Sequence, residues 1–200
     1  MFPEDSASEE PSVRMGEDTE IGTAVGYNLS SWKCLKLLAL NADGVLFTPT
    51  ALQGPAGLHL RTYHSRDVVG VRRLRRTGVQ VLLLSDEDDP VFNTLAEREK
   101  CSLRQNCKDK LSELDSHRQE LGLSWAEVGY VGHDVSDVEC MRRVGVSACA
   151  DNSDSLVQRI ARFVSHYAGA KGALREFTDQ VVELNKMRPK LDTEVDGVIR

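Results

Sequence analysis

Lys36-Leu37-Leu38-Ala39-Leu40-Asn41-Ala42-Asp43-Gly44-Val45 is the stretch on which the fold turns. Residues 37–40 are an unbroken apolar run that stops at an Asn-Ala-Asp-Gly turn. A short run that is apolar on both faces and ends in turn residues reads as a buried strand, of the kind found in parallel sheets covered on two sides. Val79–Leu84 and Val128–Val131 repeat the pattern. They end at Ser85-Asp86-Glu87 and at Gly132-His133-Asp134, and Val146–Cys149 adds a short fourth strand. Helical spacing fills the gaps. Asp67–Arg76 places Val68, Val69, Val71 and Leu74 inward with its arginines outward, and Pro90–Lys100 opens on a proline suited to a first turn. Asp109–Leu121, Val138–Val144, Ser155–Ala161 and Gly172–Leu184 read as further helices. Leu46–Thr50 and Leu58–Tyr63, flanking Gly54-Pro55 and Gly57, read as a β-hairpin.

Strands alternating with helices predict an α/β fold: a Rossmann-like parallel sheet with helices on both faces and one hairpin inserted. In such sheets the ligand crevice lies beyond the carboxyl ends of the strands. That rule gathers Asn41–Gly44, Ser85–Glu87 and His133–Asp137 around one crevice. Three segments are expected: an acidic, disordered leader over 1–31, one domain over 32–186, and a flexible polar tail over 187–200.

Charge narrows the function classes. Seven of the 31 acids and one of the 25 bases fall within residues 1–20, which leaves 24 of each for residues 21–200. A neutral body lacks the basic face that nucleic acid demands. No apolar run approaches the ~20 residues of a membrane span, and the acidic start is unlike a secretory signal. The chain therefore reads as intracellular, nuclear or cytoplasmic. Five cysteines, odd in number and without CxxC spacing, predict free thiols.

Four clusters carry chemistry, and together they resemble a known family. Leu38–Val45 resembles the DxDG(T/V) motif of haloacid-dehalogenase-like phosphatases, Leu82–Ser85 their second motif, Lys110 their lysine, and Gly132-His133-Asp134-Val135-Ser136-Asp137 their GDxxxD motif. Two longer stretches, Tyr63–Val71 and Ala168–Glu176, resemble segments of 3-deoxy-octulosonate 8-phosphate phosphatases, the second their GGRGAxRE signature. Within that group the chain is similar to the C-terminal domain of animal N-acylneuraminate cytidylyltransferases. Their first motif also tends to start with Asn, and their fourth resembles Gly132–Cys140 here. The resemblance covers about Lys36 to Val182 and does not include a Gly- and Arg-rich nucleotide loop. It implies the accessory half of a sialic-acid-activating enzyme, without the cytidylyltransferase domain.

The resemblance implies covalent phosphatase chemistry in which a carboxylate attacks phosphorus. Its nucleophile and first magnesium ligand fall on Asn41, a neutral amide that cannot form an acyl phosphate. The general acid/base falls on Asp43, and the phosphate-holding pair on Ser85 and Lys110. The second metal carboxylate falls on His133, with Asp134 and Asp137 nearby. Magnesium prefers hard anionic oxygens, so the expectation is no cofactor, or weak Mg2+ at most, and a vestigial pocket without turnover. Two readings of the pocket stay open. An anion is held by Ser85 and Lys110, with Arg66, Lys171 and Arg175 as further candidates; or Lys110 pairs silently with Asp43 or Asp137. The resemblance further implies a homotetramer assembled through the 46–63 hairpin, and a cytidylyltransferase domain or subunit as partner. The alternative function is an active magnesium-dependent sugar-acid phosphate phosphatase. Arg72-Arg73-Leu74-Arg75-Arg76 reads either as a nuclear-import patch or as a solvated helix face.

Overall fold

The structure, a computed structural model, describes residues 32–55 and 59–186. The leader over 1–31, Gly57 and Leu58 of the hairpin, and the tail over 187–200 lie outside the described residues. Strand β1 (Leu37–Asn41) is buried at every position. Its side chains alternate between two cores, as the period of a strand requires. Leu38 and Leu40 join Trp32, Phe92, Leu174 and Phe177 on one face. Leu37 and Ala39 join Leu114, Tyr130 and Met141 on the other. Burying each leucine contributes about 1.5–3 kcal/mol, so a strand apolar on both sides is stable only in the middle of the sheet.

That is its position. The sheet order is β5-β4-β1-β6-β7-β8, with β4 Gln80–Leu84, β5 Ser102–Arg104, β6 Val128–Gly132, β7 Val146–Cys149 and β8 Phe163–Val164. Every pairing in it is parallel. Helices α1 (Ser65–Arg75), α2 (Pro90–Glu99) and α6 (Ala173–Lys186) supply one core. Helices α3 (Lys110–Glu120), α4 (Val138–Arg143) and α5 (Ser155–Ile160) supply the other. Strands β2 (Phe47–Gln53) and β3 (His59–Tyr63) form a separate antiparallel hairpin.

The architecture is the predicted α/β fold, with three local corrections. Val69 is exposed, because the inward face of α1 follows Val68, Val71 and Leu74, and residue 69 falls off that stripe. Strands β5 and β8 escape the sequence reading because they are three and two residues long. The hairpin's first strand runs on to Gln53. All five cysteines are free. Burial pushes the thiols of Cys101 and Cys149 up to about 11 and that of Cys140 to about 12. Among the described residues no helix is long and apolar enough to cross a membrane.

One seam joins the two longer signature stretches. Buried Asp67, in α1, accepts hydrogen bonds from Gly172 N at 3.0 Å and Arg175 N at 2.8 Å. It satisfies amides at the start of α6 that would otherwise be orphaned. The loop before α6 also donates from Ala170 N to Val45 O at 2.8 Å, which ties it to the turn after β1.

Candidate functional site

The crevice forms where the sequence places it, at the carboxyl ends of β1, β4 and β6. Its centre is Asp137, fully buried in the turn after β6. One carboxylate oxygen accepts from Lys110 Nζ at 3.0 Å and from Tyr130 OH at 2.8 Å. The other accepts from Asn41 Nδ2 at 3.0 Å, His133 N at 2.8 Å and Asp134 N at 3.1 Å. A carboxylate has about four lone-pair sites, so Asp137 is saturated by protein donors. The Asn41 amide is turned by the same arrangement: its nitrogen faces Asp137, and its oxygen accepts from Asp43 N at 3.2 Å.

Lys110, at the start of α3, is buried and has three hydrogens to donate. Besides Asp137 it reaches Ser136 Oγ at 3.0 Å and Asp86 at 3.2 Å. Burial works to lower its pKa, but Asp137 and Asp86 outweigh burial, and the net shift is upward. Of the two readings of this lysine, the geometry matches pairing with Asp137; its pairing with Asp43 is not seen. Ser85 is also committed. Its hydroxyl donates to Asp43 at 3.0 Å and accepts from Glu87 N at 3.0 Å.

A residue outside the predicted set closes the front. Arg61, on β3, has a side chain only 4% exposed. Its terminal nitrogens bond Asp43 and Glu87, and its Nε bonds Asp89 at 2.6 Å. The guanidinium lies 5.1 Å from the centre of the Phe92 ring. Burial raises the pKa of Asp43, with Arg61 and Ser85 pulling the other way. The period-2 pattern of His59-Leu60-Arg61-Thr62-Tyr63 could have pointed Arg61 inward; nothing local to the hairpin specifies Asp43 as its partner.

His133 is the residue on which the resemblance places the second metal carboxylate. Its ring packs on Gly44, whose φ of +77° and closeness to that ring exclude any side chain there. The ring Nε2 is buried and has no hydrogen-bond partner. Asp134 is exposed, and its carboxylate accepts from Val135 N at 2.6 Å, closing its own turn. A magnesium shell needs free anionic oxygens. Here Asp137 is saturated, Asn41 presents a donor to it, and His133 presents a ring. The donor set does not fit the ion, and among the described residues no group of three or more His, Cys, Asp or Glu side chains is placed to hold a metal.

Arg66, Lys171 and Arg175 are brought together, but elsewhere. They line a depression of about 360 Å³ at the start of α6 with Tyr167 and Asp179. Neither Ser85 nor Lys110 lines it, so the five candidate anion ligands divide into two sites. Arg175 pairs with Asp179 at 2.6 Å. The basic cluster on α1 is partly bonded within the fold: Arg72 pairs with Glu99, Arg73 with Asp179, and Arg75 donates to Glu99 O.

Comparison with known proteins places this geometry. No family profile matches the chain. It is 32% identical over 178 residues to the N-acylneuraminate cytidylyltransferase of Oncorhynchus mykiss, covering 87% of this chain and 41% of that protein. The chain thus spans about two fifths of that relative's length. It is 30% identical over 151 residues to the 3-deoxy-D-manno-octulosonate 8-phosphate phosphatase KdsC of Salmonella typhi, covering 72% of this chain and 78% of that enzyme. The 3-deoxy-D-manno-octulosonate 8-phosphate phosphatase of Moraxella catarrhalis, solved with magnesium, phosphate and KDO, superposes with a TM-score of 0.77 at 20% identity, over 79% of this chain and 91% of that one. The motifs in order, the parallel sheet and a relative matched over most of its length agree: the chain belongs to the 3-deoxy-D-manno-octulosonate 8-phosphate phosphatase family of haloacid-dehalogenase-like proteins.

Proposed function

We propose that this domain is a phosphatase fold without phosphatase turnover, serving as the assembling, accessory part of a sialic-acid-activating enzyme of the N-acylneuraminate cytidylyltransferase type. The observation that carries the reading is Asn41, whose amide donates to Asp137 where a nucleophilic carboxylate is needed. An amide cannot form an acyl phosphate. The retained Asp43 then has no step to assist, and with Asp137 saturated no magnesium is held at physiological concentration. The cytidylyltransferase relatives favour the accessory role. Assembly runs through the hairpin, whose outward residues Leu52 and Leu60 are exposed and directly opposite each other in the ladder. Exposed strands are commonly covered in native proteins. Sedimentation velocity should find a tetramer, and a monomer would remove this part of the reading.

The second reading, a magnesium-dependent sugar-acid phosphate phosphatase, is favoured by the match over most of KdsC and by the retained Asp43, Ser85 and Lys110. A phosphatase assay with Mg2+ on small sugar-acid phosphates separates the two. The natural chain should be inert, and the double variant Asn41→Asp, His133→Asp should gain turnover. Magnesium-dependent turnover by the natural chain would establish the second reading instead.

A further inference from the structure

We infer that Arg61 is the resident counter-cation of the crevice and the latch that holds the hairpin down on it, with Asp43 as its socket. The inference rests on the non-catalytic reading of the crevice and gives its retained acid a new role. Three observations carry it. The hairpin's ladder is separate from the six-stranded sheet, and main-chain bonds hold it at its root, where Phe47 pairs with Ala42 and Gly44, well short of Arg61. Among the described residues Arg61 is the one hairpin side chain set among three carboxylates, and its two terminal nitrogens and its Nε each take a different one. Those carboxylates come from three separate places: Asp43 after β1, Glu87 after β4, and Asp89 capping α2 through Val91 N at 2.9 Å. Without a cation between them they would repel one another.

The socket itself is rigid. Ser85 holds the second oxygen of Asp43. Phe92 lies under the guanidinium, and its ring also packs on Phe47 at the root of the hairpin, centroids 5.0 Å apart. Asp89 adds a bond to His59 of the same strand at 2.8 Å. A buried group donating to three partners has few alternative poses, and removing it strands buried Asp89 and leaves Asp43 with less to offset it, while the exposed Glu87 keeps its water. The charge that binds this acidic crevice is therefore tethered to the chain, and its departure is the same event as the lifting of the hairpin.

The test compares the full chain with Arg61→Met and Asp43→Asn by amide hydrogen exchange, followed separately in β2–β3 and in β1, β4 and β6. Local opening exchanges independently of global unfolding. Both variants should exchange at least ~10-fold faster in the hairpin and keep protection in the sheet, and the double variant should add little, as partners in one contact do. Arg61→Met should also melt higher when millimolar Mg2+ is added, while the natural chain should melt alike in Mg2+ and in chelator. Unchanged hairpin exchange in Asp43→Asn, which is isosteric and keeps the test alive if Arg61→Met does not fold, would overturn the inference. So would an equal loss of protection in both sheets. Phosphatase turnover by the natural chain would instead sink the non-catalytic reading and leave the exchange result standing.

Discussion

At the crevice, Lys110 spends its hydrogens on Asp137, Asp86 and Ser136, and Arg61 spends its own on three carboxylates. At the start of α6, Arg66 and Lys171 make no ion pair with the described residues, although they border an open depression. The two places hold the same kinds of side chain in opposite conditions: one is neutralised from within, the other keeps charge facing solvent. Burial separates them. In the crevice an unpaired charge would cost several kcal/mol, so each one has drawn a partner. At the depression water does that work, and pairing gains little.

Asp137→Leu is the harshest test of the closed site. It leaves Lys110 buried without its main partner and strands Tyr130 OH, and urea unfolding should show a loss of about 3–5 kcal/mol. A loss below about 1 kcal/mol would mean that the network is not what holds the crevice. Gly70→Ala probes the seam beneath the depression. A side chain at residue 70 would strike Thr178 Oγ1 and approach Arg175 Cα to 3.1 Å, so overpacking should cost about 1–3 kcal/mol. Arg66→Ala and Lys171→Ala belong to the open site. Each should change stability by no more than about 0.5 kcal/mol, and a larger loss would show that these cations are structural after all.

The smallest effect concerns His166, whose pKa is raised by its hydrogen bond and charge pairing with Glu176. Glu176 is lowered: its partners Ser165 and His166 overcome burial, which acts the other way. The raised histidine stabilises the fold below its unfolded value near 6.5, and that contribution disappears as pH climbs through the raised value. The lowered carboxylate stabilises above its unfolded value near 4.5, and its contribution disappears as pH falls through the depressed one. The pair is therefore most favourable between those two values. In an NMR titration, Glu176→Gln should bring the His166 pKa back towards 6.5.

Much of this was legible because it is local. Leu37–Asn41 announces a central strand through its own residues, and the motif residues at the strand ends meet because parallel topology leaves them nowhere else to go. That Asn41 and His133 stand where the resembled motifs carry carboxylates is readable from residue type alone. What could not be read is non-local or quantitative. Ser102–Arg104 is too short and too polar to show a period. Arg61 and Asp43 are 18 residues apart on elements whose relative pose no propensity encodes. Saturation of Asp137 by five donors depends on the positions of Tyr130 and two backbone amides. Residue type likewise could not tell that Arg66 lies with Lys171 rather than with Lys110.

The bonds from Asp67 to Gly172 and Arg175 span 105 and 108 residues. During synthesis, α1 leaves the ribosome long before the helix that covers it exists. Asp67, a carboxylate built to be buried, and the face of α1 that α6 packs against must wait for nearly the whole remaining domain to be translated. The domain therefore cannot finish folding from its amino end, and a nascent chain halted before residue 170 would leave Asp67 and that side of α1 open to chaperones and proteases.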